Sequence, residues 1–353
     1  MSPQDRQDNS SLTGRQRIRD LLDGRPVDRV PVMASMIAAA AELRGVPQRR
    51  IHQEPQTNAQ VLLGVCRDLG LDGAYISSDN WIIHSALGGA VNFPEDDEPM
   101  GRPVVLDDWD KLDGLRVPDP QTAGRMPFML AAARAAVGLN RGELFLEANI
   151  DSGAFQMAGI LRGAQQLMVD VLAEPRRLHR LLEFCTQVAS AYGRAMAETG
   201  VDAVQFGDST ASLIGLEMYR QFVEPYQRPV IEAIRRAGAY PFLHVCGNSN
   251  HLSSRLAATG AACVEIDGPA DLGRSVQAFA DRAAVRGNVP TMLLRDGSVD
   301  QVEHAARQCL QAAASGRLIL SPGCGVPRGT PPENIRALVR VASQSSPPRD
   351  KTS

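Results

Sequence analysis

The sequence predicts an α/β fold, a (β/α)8 TIM barrel with an insertion after its second strand. Three observations predict it. Eight short apolar runs, rich in Val, Ile, Leu and Phe, recur through the chain and read as strands buried on both faces. Segments of helical period separate most of them, so that β and α alternate over about 300 residues. Polar and metal-capable residues gather at the carboxyl ends of the runs, the end at which such barrels carry their chemistry.

The elements follow in chain order. Residues 1–10 and 345–353 are polar and rich in Ser, Pro and Asp, and are expected to be disordered tails on a single barrel domain spanning residues 12–343. Residues 13–23 read as a first helix, with Thr13 as its N-cap and Gly24 as its stop. The eight expected strands are residues 30–36, 73–78, 144–150, 203–207, 240–246, 263–266, 284–289 and 318–321. Helices are expected at 165–172, 175–198, 215–237, 272–280 and 298–314. The longest gap, 79–143, reads as an insertion with short strands and one helix packed on the barrel, and its acidic run at 95–98 as a solvated loop.

Composition excludes several function classes. The 353 residues, 44% of them hydrophobic, are enough to bury a large core. A net charge of -3 gives no electrostatic case for nucleic acid or an anionic membrane. The longest apolar runs are far too short to span a bilayer, and the polar N-terminus has no hydrophobic signal region. The six cysteines are scattered rather than arranged as a disulfide framework, which fits a reducing cytoplasm. Oligomeric state is left open, a homodimer included.

The chemistry centres on Tyr240-Pro-Phe-Leu-His-Val-Cys-Gly-Asn248, an apolar run that ends at a tight turn. His244 and Cys246 are two residues apart, so a strand presents both on one face. Cys324 sits at the tip of a second such run, Ile319 to Val326. Singly, a His or Cys in a strand is more often a buried structural residue. Together, one imidazole and two thiolates suit a Zn2+ site with one open position. Two thiolates neutralise the ion, weaken it as an acid toward water and leave a bound thiolate nucleophilic, so thiol activation is favoured over hydrolysis. Asp79, Asn149, Asp151, Asp208, Ser209, Glu265, Asp267 and Asn288 also fall at strand ends. Any one of them is as well explained as a cap or turn former, but their concentration on one rim is not. Asp267 and Glu265 are candidates for a further ligand by position, and Asp208 for a partner that orients the His244 ring.

With these residues in view, the chain resembles the uroporphyrinogen decarboxylase superfamily, and within it the methylcobamide:thiol (coenzyme M-type) methyltransferase branch. The resemblance covers about residues 12–343 and is carried by Arg25-Pro-Val-Asp-Arg-Val-Pro31, Asp72 to Asp79, Gly153-Ala-Phe with Leu161-Arg-Gly163, Gln205 to Ser209, His244 to Asn248 and Pro322 to Val326. It implies that His244, Cys246 and Cys324 hold Zn2+, and that a substrate thiol bound there takes a methyl group from a methylcorrinoid co-substrate, or gives one in reverse. It further implies a corrinoid protein acting in trans, because no Asp-x-His-x-x-Gly run is present. The decarboxylases resembled carry an Arg-Gln-Ala-Gly-Arg loop after the first strand and a His in the last Gly-x-Gly turn. Here the first position reads Ala34 to Ala41, without arginine, and the second is Cys324. Asp79 and Ser209 match positions the decarboxylases use, and with Asp208 they stand as candidate catalytic residues. A tetrapyrrole decarboxylase, a corrinoid-dependent demethylase of an O- or N-methyl donor, and a non-catalytic corrinoid- or metal-binding scaffold remain the competing readings.

Overall fold

The computed structural model of the chain describes residues 12–102 and 106–345. The expected tails, at 1–10 and from 346 onward, lie outside the described residues.

Seven parallel strands form one sheet. They are β1 (Gly73–Ile76), β4 (Phe145–Ser152), β5 (Ala203–Gly207), β6 (Tyr240–Val245), β7 (Cys263–Ile266), β8 (Ala284–Val289) and β9 (Leu318–Pro322), paired in that order. A short hairpin of β2 (Ala90–Asn92) and β3 (Met100–Arg102) stands apart as an antiparallel pair. The first expected strand, residues 30–36, is reduced to one parallel bridge between Val32 and Leu320. It still closes the barrel. Met33 N donates to Leu320 O at 3.0 Å and Leu320 N to Pro31 O at 2.9 Å, while Asp72 N donates to Val32 O at 2.8 Å on the other side. The full ladder fails because two of its backbone donors are missing. Pro31 has no N–H, and Val32 N is taken by the Asp72 carboxylate at 2.7 Å.

Helices wrap the outside of this barrel. Gly14–Leu22 starts at Thr13, whose hydroxyl accepts from Gln16 N. The expected helix at 215–237 is two helices, Leu216–Phe222 and Glu224–Arg236. Pro225, in the first turn of the second, lacks the N–H that would continue the first. Between β1 and β4 lie the hairpin, the 3-10 turn Trp109–Gly114 and two helices rather than the one expected, the short Ile82–Ala86 and Met126–Asn140. The acidic residues 95–98 are exposed at the hairpin loop. No helix among the described residues is long and apolar enough to cross a membrane.

Side chains two apart on a strand share a face, so the barrel interior is layered. The floor is apolar. Met33, Phe145, Ala203, Phe242, Cys263, Ala284 and Ile319 cluster with Ile18, Leu21 and Leu22 of the first helix, which plugs the amino-terminal end. Gly73 fits there because a Cβ would come within 2.8 Å of Met33 Cε and Phe145 O. Two residues further along each strand the interior turns polar. Ser35, Tyr75, Glu147, Gln205, His244, Glu265, Arg286 and Ser321 are all buried. Beyond them the strand ends open at the mouth.

Candidate metal centre

His244 reaches the mouth on β6, Cys246 follows just beyond it, and Cys324 arrives on the turn after β9. Two glycines make this convergence possible. Gly247 takes a left-handed backbone, φ 74°, which turns the chain immediately after Cys246, and its N–H donates to Asp267 Oδ2 at 2.9 Å. Gly323 lets the β9 turn close on the end of β7, since a Cβ there would lie 2.5 Å from Gly268 N and 2.9 Å from Asp267 C. Beyond Cys324, Val326 N donates to Ser35 O at 2.8 Å, so the turn is held from both sides.

The three donor atoms lie within 4.8 Å of one another. The two sulfurs are 3.8 Å apart. Tetrahedral coordination with Zn–S bonds of about 2.3 Å requires about 3.8 Å between sulfurs. His244 Nε2 is 2.7 Å from Cys246 Sγ and 3.9 Å from Cys324 Sγ. The same geometry asks for about 3.5 Å to each, a ring movement of less than about 1 Å. One imidazole and two thiols at these spacings fit Zn2+ with a place left for a substrate atom.

The three donors are electrostatically coupled to one another and to Glu265. His244 Nδ1 lies 3.0 Å from Glu265 Oε2, and Nε2 faces the sulfurs. Burial disfavours a charged His244 ring, but Glu265 and then the sulfurs overcome it and raise the ring's pKa well above its ordinary value. The hydrogen bond from Cys324 lowers the Cys246 thiol against its burial, and His244 and the Ser209 hydroxyl lower it further. Glu265 is lifted by burial but held below the usual carboxylate range, first by Arg286 and then by His244.

The other expected residues are placed as follows. Asp267 lies outside the three-residue group. Its two oxygens accept from Gly247 N at 2.9 Å and Gly268 N at 2.6 Å, which anchors the turn behind Cys246. Ser209 is beside Cys246, and its own N–H donates to Gln156 Oε1 at 2.7 Å. The ring-orienting role expected of Asp208 falls to Glu265. Counting by two along β5 from the inward Gln205 puts Asp208 on the outer face. There its carboxylate accepts from Gln156 N at 2.8 Å and Gln227 Nε2 at 3.0 Å, and burial raises it to about 6. Glu265, by contrast, is paired in register with His244. Asp79 follows β1, where it accepts from Ser78 Oγ at 2.6 Å, Arg125 Nη1 at 2.8 Å and Trp81 N at 3.0 Å. Arg125 belongs to the insertion and lies over the Phe93 and Phe128 rings at 4.7 and 5.5 Å, so Asp79 ties the insertion to the barrel.

Sequence reasoning missed the support beneath the centre. Glu265 Oε2 also accepts from Gln205 Nε2 at 2.6 Å, and Gln205 Oε1 in turn accepts from Tyr75 and Asn149. Arg286 sits below, between Glu265 and Glu147.

A profile of the uroporphyrinogen decarboxylase (URO-D) family matches residues 13–345. The chain belongs to that family. Among its relatives, the methylcobamide:CoM methyltransferase MtaA of Methanosarcina barkeri is 26% identical over 346 residues, covering 95% of this chain and 99% of the relative. The uroporphyrinogen decarboxylase of Anaeromyxobacter dehalogenans is 29% identical over 334 residues, covering 89% and 94%. The solved structure of a methyltransferase from Methanosarcina mazei aligns with a TM-score of 0.86 at 25% identity, over 95% of this chain and 99% of that one. Within the URO-D family both chemistries are therefore near, and the site has to separate them. The stretch expected to carry a decarboxylase's arginines is folded here into the helix Ile37–Leu43, whose Ala38 to Ala41 are buried.

Proposed function

We propose that this protein is a zinc-dependent methyltransferase that moves a methyl group between a corrinoid and a thiol. The observation that carries the reading is the convergence of His244, Cys246 and Cys324 at the barrel mouth. The activity for which the Methanosarcina relatives are named, methylcobamide:CoM methyl transfer, supports it. So does the arginine-free helix, which leaves a multiply carboxylated tetrapyrrole without its expected counter-charges.

His244, Cys246 and Cys324 would hold the metal. Bound there, zinc supplies a site at which a substrate thiol binds as thiolate and stays nucleophilic toward a corrinoid-borne methyl group. The chain's own residues prepare that site. Glu265 stands behind the ring at Nδ1 and would hold it with Nε2 toward the metal. Ser209, beside Cys246, favours the anionic form of its sulfur. Asp267 and Gly247 fix the turn behind Cys246, and Gly323 brings the Cys324 turn against it. Asp208 acts at one remove, holding Gln156, whose side chain accepts from Ser209 N. A corrinoid protein in trans, docking over the mouth, completes the reading. All six cysteines are free thiols, which is consistent with a reducing cytoplasm.

The test combines metal analysis of protein purified without chelator with an assay on methylcobalamin and a panel of thiols, following loss of the methylcorrinoid spectrum. About one zinc per chain and thiol-dependent demethylation are expected. Stepwise loss of carboxylates from uroporphyrinogen, with no zinc in the protein, would establish the decarboxylase instead.

A further inference from the structure

We propose that Arg286 is a positioning residue for the metal centre, a buried guanidinium that braces both the support of His244 and the turn carrying Cys324, and so sets the spacing of the ligands. The inference rests on the zinc reading above.

Arg286 lies on β8, one layer below the mouth, and its side chain is 0% exposed. On one side its Nη2 is 3.3 Å from Glu265 Oε1, and the other oxygen of that carboxylate is 3.0 Å from His244 Nδ1. On the other side its Nε donates to Ser321 Oγ at 3.2 Å and its Nη2 to Ser35 Oγ at 2.8 Å. These two serines flank the Cys324 turn. Ser321 precedes Cys324 by three positions, and Ser35 O accepts from Val326 N, two positions after it, at 2.8 Å. Nη1 pairs with Glu147 across the barrel, and the guanidinium lies 5.7 Å from the centre of the Tyr75 ring.

The fork geometry makes this a brace rather than a loose charge. A guanidinium is planar, with its donors in fixed directions, so its hydrogen bonds to Ser321, Ser35 and Glu147 are locked to one another and fix the place of the charge beside Glu265. Arg286 is among the largest fully buried side chains, so it fills this layer as well as linking its polar groups. A buried ion pair is also weak support for stability by itself, since desolvation offsets most of its attraction. What the pair does well is placement, and the groups it places lead to two different ligands.

Neutralising Glu147 and Glu265 is the simpler role, and Arg286→Lys separates the two. Lysine keeps the charge and loses the fork. Zinc affinity of the full-length chain is measured by competition with a chromophoric chelator, and the ligand geometry is read from the absorption bands of the Co2+-substituted protein. Circular dichroism and metal-free melting report the fold. Arg286→Lys is expected to lower zinc affinity about 10–100-fold and to alter the cobalt bands in a folded protein. Ser321→Ala is expected to weaken zinc less, and to add little on top of Arg286→Lys, because both act through one contact. A folded Arg286→Lys protein with wild-type affinity and an unchanged cobalt spectrum overturns the proposal. If Arg286→Lys does not fold, Ser321→Ala and Glu265→Gln decide: weakened binding in both upholds it, and wild-type affinity in both overturns it. A wild-type chain that takes up no zinc overturns the metal reading and this inference with it. Normal wild-type uptake with unaltered variants overturns the inference alone.

Discussion

Glu265 Oε2 stands 3.0 Å from His244 Nδ1, on the opposite side of the ring from the two sulfurs. The pairing is a consequence of register. In the parallel ladder between β6 and β7, His244 and Glu265 are direct partners, and both are in phase with the barrel interior. A ring held on its far nitrogen by a carboxylate has a fixed tautomer and orientation, which a metal ligand needs. Glu265→Ala removes that hold and leaves Arg286 one partner fewer. Zinc affinity is expected to fall about 10–100-fold in a chelator competition, with the ligand residues intact. Unchanged affinity would show that the sulfurs alone place the ion.

Asp79 has the opposite character. Its oxygens are committed to Arg125, Ser78 and Trp81. Asp79→Ala strands a mostly buried guanidinium, 14% exposed, and is expected to cost about 3 kcal/mol in chemical denaturation. Zinc content should stay at the wild-type level. Loss of metal without loss of stability would move Asp79 from the scaffold to the centre.

The barrel floor can be tested independently of the chemistry. Phe242 is fully buried, stacked on Phe145 at 5.9 Å between ring centres, two residues below His244. Phe242→Ala opens a cavity there and is expected to destabilise the protein by about 3–5 kcal/mol. The folded fraction should still bind zinc, because the polar layer lies between the floor and the mouth. A cost below about 1 kcal/mol would mean that the floor is not close-packed.

Asp151 predicts a pH dependence. Burial raises its carboxyl from 3.8 to about 7; Asp79 adds to the rise, while Ser152, Ile83 N–H and Arg125 oppose it. The folded chain therefore holds a proton that the unfolded chain releases between these two values. This contribution to stability is full below about pH 4 and is lost as pH rises toward 7. Asparagine carries no charge and tolerates the left-handed backbone at this position, φ 73°. Asp151→Asn is expected to match wild type near about pH 4 and to gain on it above, by up to about 4 kcal/mol near pH 8. Melting curves that keep a constant offset across that range would contradict the assignment.

The barrel and the meeting of His244, Cys246 and Cys324 could be read from the chain because both rest on short-range periodicity. His244 and Cys246 share a face by counting two, and Cys324 ends a run of the same kind. What escaped was set by contacts distant in sequence. Residues 30–36 are as apolar as a strand requires, yet Asp72, forty positions away, takes the Val32 N–H. The place of Asp208 at a strand end makes it a candidate partner for His244, but its phase on β5 points it outward, and the pairing of β6 with β7 puts Glu265 there instead. Glu147 and Arg286 did leave a signal. Each is a charge inside an apolar run, Phe-Leu-Glu-Ala and Ala-Val-Arg-Gly, two residues above a floor residue, as His244 is. Reading all the strands in one phase would have found the polar layer, though not which carboxylate the guanidinium meets.

The central claim is that the sulfur of Cys324 is part of the working centre. The most direct measurement is methyl transfer from methylcobalamin to a thiol by folded Cys324→Ala protein, beside wild type at equal concentration. The account predicts thiol-dependent loss of the methylcorrinoid band with wild type and none above background with the variant. Demethylation by Cys324→Ala at the wild-type rate would contradict it.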